Sequence, residues 1–308
     1  MGRKRSGRPL HGWIILDKPV GISSSAAVGR VRRSLDAAKV GHGGTLDPLA
    51  SGILPLALGE ATKTVSWVMD GSKTYTFTLR WGEAHSTDDE EGDVTETSDV
   101  RPTEAQILEA LPTFIGEIEQ MPPTFSALKI DGQRAYKLAR EGKQVELKSR
   151  QVVVEEFALV DGSNSEDAAF RVVCGKGTYI RSLGRDLALH LGSVGHIRNL
   201  RRTAVGPFSE IQAISLDKLE SLGHIAPDSG VLHPVETVLD DIPALALTEI
   251  EARRLKQGQG VPVLPVVNRA SVSTLKRGDV ICAMWDGKLV ALTEIRGGEL
   301  KPVRVMNH

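Results

Sequence analysis

The clearest regularity in the chain is a period of two. Lys73-Thr74-Tyr75-Thr76-Phe77-Thr78-Leu79-Arg80-Trp81-Gly82 alternates large apolar and polar residues, which predicts a strand with one buried face. Tyr75, Phe77, Leu79 and Trp81 share that face, and Tyr75 heads the row, in place for a core or for the rim of a cleft. His11 to Pro19 reads as a short buried strand running into a turn. Ile53 to Leu58 is an apolar run closed by Gly59, and residues 151–160 and 170–174 are valine-rich strands. Helical spacing joins Ala27, Val28, Val31 and Leu35 after the capping serines 23–25, predicting a helix to about Asp36. Further helices are predicted over 104–112, capped by Thr103, over 133–141, and from the glycine-containing turn at Gly175–Gly177 to about Leu191. Between 222 and 245 the composition turns loop-like, with Pro227, Pro234 and Pro243, and marks a domain boundary. Beyond it come a helix from Thr248 to Lys256 and short β-rich pieces separated by turns such as Lys276-Arg277-Gly278-Asp279 and Asp286-Gly287. The fold class is therefore α+β. Residues 11–240 form a mixed, mostly antiparallel sheet with flanking helices, residues 245–308 form a small β-barrel, and residues 1–10 form a basic disordered arm.

Charge changes this picture only locally. In 308 residues, 38 basic and 39 acidic side chains give a formal charge of −1, so no global field advertises an anionic partner. Basic clusters stand in the arm, at Arg30, Arg32 and Arg33 on the first helix, between Arg134 and Arg150, and at Arg198, Arg201 and Arg202. Each reads as a solvated face or as a phosphate-facing patch. Carboxylates crowd Glu83 to Asp99 with no Lys or Arg between them, so Asp88-Asp89-Glu90-Glu91 is expected on an exposed loop. Cys174 and Cys282 are the only cysteines and suit a reducing compartment. No signal peptide and no run of about 20 apolar residues is present, so a soluble cytoplasmic protein is expected.

The stretch Gly41-His42-Gly43-Gly44-Thr45-Leu46-Asp47-Pro48-Leu49-Ala50-Ser51-Gly52 is where chemistry is most plausible. Four glycines in twelve residues allow positive φ and close backbone approach. Pro48 restricts Asp47 to extended conformations. A turn-capping role for Asp47 is the plain alternative. The chain has no phosphate-binding Gly-Lys-Ser/Thr loop, no dinucleotide fingerprint, no zinc spacing among its histidines and cysteines, and no serine nucleophile elbow. What remains is one carboxylate loop, a tyrosine strand, Arg181 at a second glycine turn, and basic patches. That set suits a cofactor-free reaction on an RNA base, with the arginine holding the carboxylate ionised and an aromatic ring stacking on the base. Arg198, Arg201 and Arg202 are then expected to touch phosphates.

Gly43 to Gly52 closely resembles the catalytic motif of the TruB family of tRNA pseudouridine synthases. Leu16-Asp17-Lys18-Pro19 with Gly21, Lys73-Thr74-Tyr75, Gln120-Met121-Pro122-Pro123 with Phe125-Ser126-Ala127, Gly177-Thr178-Tyr179-Ile180-Arg181, and Leu200-Arg201-Arg202-Thr203 with Val205-Gly206-Pro207-Phe208 match further family motifs in order. Phe125 stands where the family pattern has tyrosine. The resemblance implies isomerisation of uridine to pseudouridine in the T loop of tRNA, at position 55, by base flipping. It implies Asp47 as nucleophile, attacking the sugar C1′ or the base C6, or else as a base at the sugar; it also implies Tyr75 stacked on the uracil and moving a proton late in the reaction, and Arg181 paired with Asp47. Substrate contacts are implied for His42, Gly43, Gly44, Tyr179, Leu200, Lys18 and Arg202, with His42 filling space left by flipped bases. Lys63 and Asp89 would form a structural ion pair. No metal and no cofactor are implied, and the C-terminal barrel is similar to the RNA-binding PUA domain. A stand-alone monomer acting on the T arm without guide RNA is expected. An RNA-binding or tRNA-folding protein with secondary chemistry is the alternative.

Overall fold

A computed structural model describes residues 7–126, 128–130, 133–134, 147–160, 164–223, 230–269 and 275–307. The helix expected over 133–141 and most of the basic stretch from Arg134 to Arg150 lie outside the described residues. Among the described residues the strands of the first unit are β1 (Gly12–Lys18), β2 (Val40–His42), β3 (Ser51–Leu58), β4 (Lys73–Trp81), β5 (Glu83–His85), β6 (Val94–Thr97), β7 (Gly116–Gln120), β8 (Lys129–Ile130), β9 (Gln133–Arg134), β10 (Arg150–Val160), β11 (Asp167–Cys174), β12 (Gly195–Val205), β13 (Phe208–Ser209) and β14 (Ile214–Ser215). The main sheet runs β14-β1-β3-β12-β4-β11-β10-β7, with β2 added on β3 and β13 on β12. β1/β14 and β3/β12 are parallel and the other pairs are antiparallel. The fold is α+β with a mixed, mostly antiparallel sheet.

The alternation along β4 survives intact. Tyr75, Phe77, Leu79 and Trp81 are buried and the residues between them are half-buried. Phe77 stacks on Phe170 at 5.2 Å between ring centroids, and the helix Ile180–His190 packs Ile180, Leu183 and Leu187 into the same cluster. β1 is buried on both faces. Trp13 and Ile15 enter one cluster, while Ile14 and Leu16 enter another beneath the helix Ser24–Ser34. That helix begins where the Ser23 hydroxyl accepts from the Ala26 N–H at 3.1 Å, a cap worth about 1 kcal/mol. It stops short of Asp36, which takes φ +46° and breaks the helical path. Arg30 on its polar face is paired within the chain: its guanidinium lies 2.6 Å from Glu220 on the helix Leu216–Leu222.

Two features of the main sheet decide where the site lies. β12, an arginine-rich segment with no strand-like periodicity, occupies the sheet interior between β3 and β4. β3 also changes neighbour along its length. Ser51 and Gly52 pair with Arg201 and Arg202 of β12, whereas Leu56 to Leu58 pair with β2. The Asp47 loop lies in the connection from β2 to β3, at the fork where β12 gives way to β2. Gly52 takes φ +101°, and a Cβ there would run into the backbone of Arg202. Glycine is therefore required at the fork.

The C-terminal unit holds β15 (Ala244–Ala246), β16 (Val261–Pro262), β17 (Val280–Trp285), β18 (Lys288–Arg296) and β19 (Glu299–Val305), in the order β15-β17-β18-β19-β16. Thr248 caps the helix Glu249–Lys256 through a reciprocal pair with Glu251. This unit is not suspended on a loose linker. Val235 and Leu239, inside the loop-like stretch, bury with Trp13, Phe208, Leu289, Leu292 and Met306 in one cluster. The arm is also partly ordered. Arg8 bridges to Ala37, and the Ala38 N–H donates to the Arg8 carbonyl at 3.0 Å, which corrects the expectation of disorder for residues 7–10.

Candidate active site

Arg181 organises the site. Its Nε donates to Asp47 Oδ2 at 3.0 Å, its Nη1 to the Thr87 carbonyl at 2.7 Å, and its Nη2 to the Phe125 carbonyl at 2.9 Å. Asp89 Oδ2 lies 3.4 Å from Nη1. Arg181 is 5% exposed and the Asp47 side chain 33%. A buried guanidinium needs both charge balance and a partner for each donor. Two carboxylates balance the charge, and with two carbonyls they engage all three nitrogens, so the fork cannot swing. The carboxylate is therefore gripped through Oδ2 while a third of its side chain stays exposed.

The first turn of the helix Ile180–His190 is set by a latch that sequence reasoning missed. Its N-cap is Tyr179, whose side chain caps nothing. Gln120 does the work instead: its Oε1 accepts from the Tyr179 N–H at 2.8 Å and its Nε2 donates to the Tyr179 carbonyl at 3.1 Å. Ser182 Oγ donates to the Met121 carbonyl at 2.8 Å. The first of these bonds satisfies the orphaned Tyr179 N–H at the helix start, and together they hold Arg181 at its register. The only prior signal was that Gln120 and Met121 lay inside a matched motif.

The Asp47 loop is braced from two sides by buried cations. Lys18 is fully buried and its Nζ donates to the carbonyls of Pro19, Ile22 and Pro48 at 2.8, 2.9 and 3.4 Å. Arg202, 1% exposed, donates to the carbonyls of Ile53, Thr45 and Gly44 at 2.8, 3.2 and 3.3 Å. Ser24 Oγ adds a reciprocal pair with the Leu46 backbone at 2.8 and 2.9 Å. Burial pushes the Lys18 ammonium down to about 8, against the opposing pull of the Asp47 charge. Burial also pushes the Tyr75 phenol above its usual value, with the Arg202 guanidinium beside it acting in the opposite sense.

Several expectations are corrected here. Lys18 lines neither cavity described below and is spent on backbone carbonyls; Arg202 lines the first cavity, with its N–H groups directed to backbone carbonyls. Arg201 pairs with Asp17 and Glu210, and Arg198 with Glu90 and Asp167, so the arginine trio is engaged within the chain. Lys63 and Asp89 do not pair. Lys63 bonds Glu60 and the Val305 carbonyl, each at 2.6 Å, while Asp89 turns inward to Arg181. The acidic cluster is not wholly exposed either. Asp89 is 2% exposed, because Asp88 at φ +60° turns the chain inward. Asp88 then pairs with Arg185 at 2.9 Å, and its carboxyl is raised by burial, with Arg185 opposing. Gly43 lines neither cavity described below; its Cα packs so closely that a Cβ would meet Val68.

Two cavities meet at Asp47 and Arg181. One, of about 600 Å³, is lined by Gly44, Tyr75, Tyr179, Leu200 and Arg202. The other, of about 680 Å³, is lined by His42, Ser24, Asp89 and Phe125. The Arg150 guanidinium lies over the Tyr179 ring at 4.7 Å, at the wall of the first. Chemically this is a pinned carboxylate between two chambers, with an aromatic face and an aliphatic wall in one of them.

Comparison with known proteins bears on this geometry. Residues 32–180 match the model of the TruB family pseudouridylate synthase N-terminal domain, and residues 181–240 match that of the tRNA pseudouridylate synthase B C-terminal domain. The tRNA pseudouridine synthase B of Rhodospirillum rubrum is 56% identical over 307 residues, covering 100% of both chains. That of Caulobacter vibrioides is 52% identical over 306 residues, covering 99% of both. Among solved structures, a Cbf5–Nop10–Gar1 complex matches at a TM-score of 0.71 and 28% identity, over 96% of this chain and 84% of that one. An H/ACA RNP bound to a substrate RNA containing 2′-deoxyuridine matches at 0.73 and 25%, over 100% and 92%.

Proposed function

The chain belongs to the TruB family of pseudouridine synthases, and from that premise we propose that it isomerises uridine 55 in the T loop of tRNA by flipping the base into the Asp47 cavity. The relatives named tRNA pseudouridine synthase B support tRNA as the substrate. The observation that carries the site assignment is the Arg181 grip on one oxygen of Asp47 at the wall of a cavity faced by Tyr75 and Leu200.

In this reading the uracil stacks on Tyr75 against Leu200, and the ribose faces Asp47. Asp47 is the nucleophile. The N1–C1′ bond breaks, the uracil turns, and a C5–C1′ bond forms. The proton lost from C5 is balanced by the one gained at N1, so no redox partner is needed. Arg181 keeps the carboxylate aimed. Because burial raises the Tyr75 phenol, its hydroxyl stays protonated near neutral pH. It serves as a stacking face and a hydrogen-bond donor rather than as a phenolate base. His42, in the second cavity, is placed beside neighbouring nucleotides of the opened loop. The enzyme acts alone, without guide RNA.

The test is to incubate the protein with an unmodified tRNA transcript, without guide RNA, and to map pseudouridine by position. Product at position 55 is expected, and Asp47→Asn should abolish it while tRNA affinity stays within about tenfold. Absence of product with intact binding would instead favour an RNA-folding role. Parallel loss of binding and activity in Asp47→Asn would make Asp47 a structural residue.

A further inference from the structure

We propose that Glu83, His85 and His196 form a binding site for a divalent transition-metal ion of the zinc class, separate from the reaction chamber. One ligand atom from each of the three lies within 4.8 Å of the others. The residues come from β5 and from β12, far apart in sequence, so no local spacing could announce them. None of the three lines either cavity at Asp47.

The donor set is that of a zinc-type site: two imidazoles and a carboxylate, with a fourth position for water. The imidazoles are prepared for it. The His196 ring is buried, with Nδ1 at 2.8 Å from the Glu83 backbone carbonyl. Donating there fixes the proton on Nδ1 and leaves the Nε2 lone pair free, the arrangement by which backbone carbonyls orient metal-binding histidines. The His85 ring lies against His196 at 3.8 Å between centroids, tilted by 30°. Both of its ring nitrogens are shielded from solvent, and neither meets a hydrogen-bond partner among the described residues. Its Nε2 is 3.8 Å from Glu83 Oε2, beyond hydrogen-bonding range. Buried imidazole nitrogens without partners are rare in native proteins. A metal ion supplies the missing partner.

The ion would tie the start of the β5–β6 hairpin to β12. That hairpin carries Thr87 and Asp89, which hold Arg181, so the metal acts as a structural brace and takes no part in bond making.

The experiment uses the full-length protein stripped with a chelator and dialysed, then titrated with Zn²⁺ against a chromophoric competitor. Binding at one ion per chain is expected, with Co²⁺ giving the visible bands of a low-coordinate nitrogen–oxygen site. His85→Asn should weaken binding at least about tenfold and abolish the Co²⁺ bands. His85 is the informative position, because it sits on a hairpin rather than in the sheet interior, so the variant should keep its fold. Glu83→Gln, at an exposed side chain, gives a second and milder loss. Zn²⁺ should also raise the melting temperature of the wild type and leave that of His85→Asn unmoved. No stoichiometric binding to the wild type would overturn the proposal. So would binding unchanged in both variants, which would place the ion on other histidines.

Discussion

Replacing Arg202 with methionine separates two roles that a basic residue in an RNA-modifying enzyme can play. The side chain is 1% exposed and donates to three carbonyls, those of Ile53, Thr45 and Gly44. Hydrogen bonds from a charged donor are worth about 1.5–3 kcal/mol each. Gly44 and Thr45 line the cavity, so water can replace the arginine at their carbonyls. The Ile53 carbonyl lies behind them in β3, where Ile53 is fully buried, and would lose its donor outright. Removing a buried charge returns part of its desolvation penalty. The net expectation is a loss of about 3 kcal/mol, equivalent to a fall in melting temperature of roughly 5 °C for a chain of 308 residues. Activity should fall with it, because the Asp47 loop loses one of its two braces. The dependence of tRNA affinity on salt should keep its slope. A phosphate-contacting arginine predicts the reverse: unchanged melting, weaker binding, and a salt slope reduced by about 1. That reverse pattern would refute the assignment.

Three further outcomes follow from the same geometry. Gly52→Ala forces a side chain onto φ +101° against the Arg202 backbone, so thermal melting should show a loss of at least about 2 kcal/mol; melting within 1 °C of wild type would mean that the fork can relax. Lys18 releases its proton at about 8 in the folded chain, against 10.5 for an exposed lysine. Between those values the unfolded chain binds the extra proton, so wild-type stability relative to Lys18→Met should rise with pH by up to about 1.4 kcal/mol per unit. Turnover should decline over the same window as Asp47 loses its cationic neighbour, and a stability difference that is flat from pH 8 to 10 would contradict this. Finally, a double-mutant cycle of Lys63→Ala and Asp89→Asn should give a coupling near zero, since their partners are Glu60 and Arg181; a coupling above about 1 kcal/mol would restore the pair.

Much of the fold was legible because it rests on local signals. β4 could be read from its alternation, and the helices beginning at Ser24, Glu104 and Glu249 from their caps. The motif order identified Asp47, Tyr75 and Arg181, which line one cavity in the structure. What escaped was anything set by a partner distant in sequence. β12 carries arginines at positions 198, 201 and 202 and reads as a phosphate-facing basic patch. It is a central strand because Ile53, Asp17, Glu210 and Asp167 come from elsewhere to satisfy those guanidinia. Asp89 reads as one member of a solvated acidic run until the turn at Asp88 delivers it to Arg181. Lys18 looks available for a ligand only while the carbonyls of Ile22 and Pro48 are out of view. In each case the composition gives the charge, and only the tertiary structure says which way it faces.

The cluster joining Trp13 to Leu292 and Met306 has a consequence for how the chain is made. Trp13 leaves the ribosome first among these residues, and Met306 last. At about 5–20 residues per second, roughly 15–60 s separate the synthesis of the two. Through that interval one flank of β1, already paired with β3, presents an indole and an isoleucine that have no finished shelter. A nascent chain in this state is open to capture by holdase chaperones and to association with its own copies. Translation halted before β18 would leave that hazard permanent, so ribosome stalling late in the message should send this protein to aggregates rather than to a shortened enzyme.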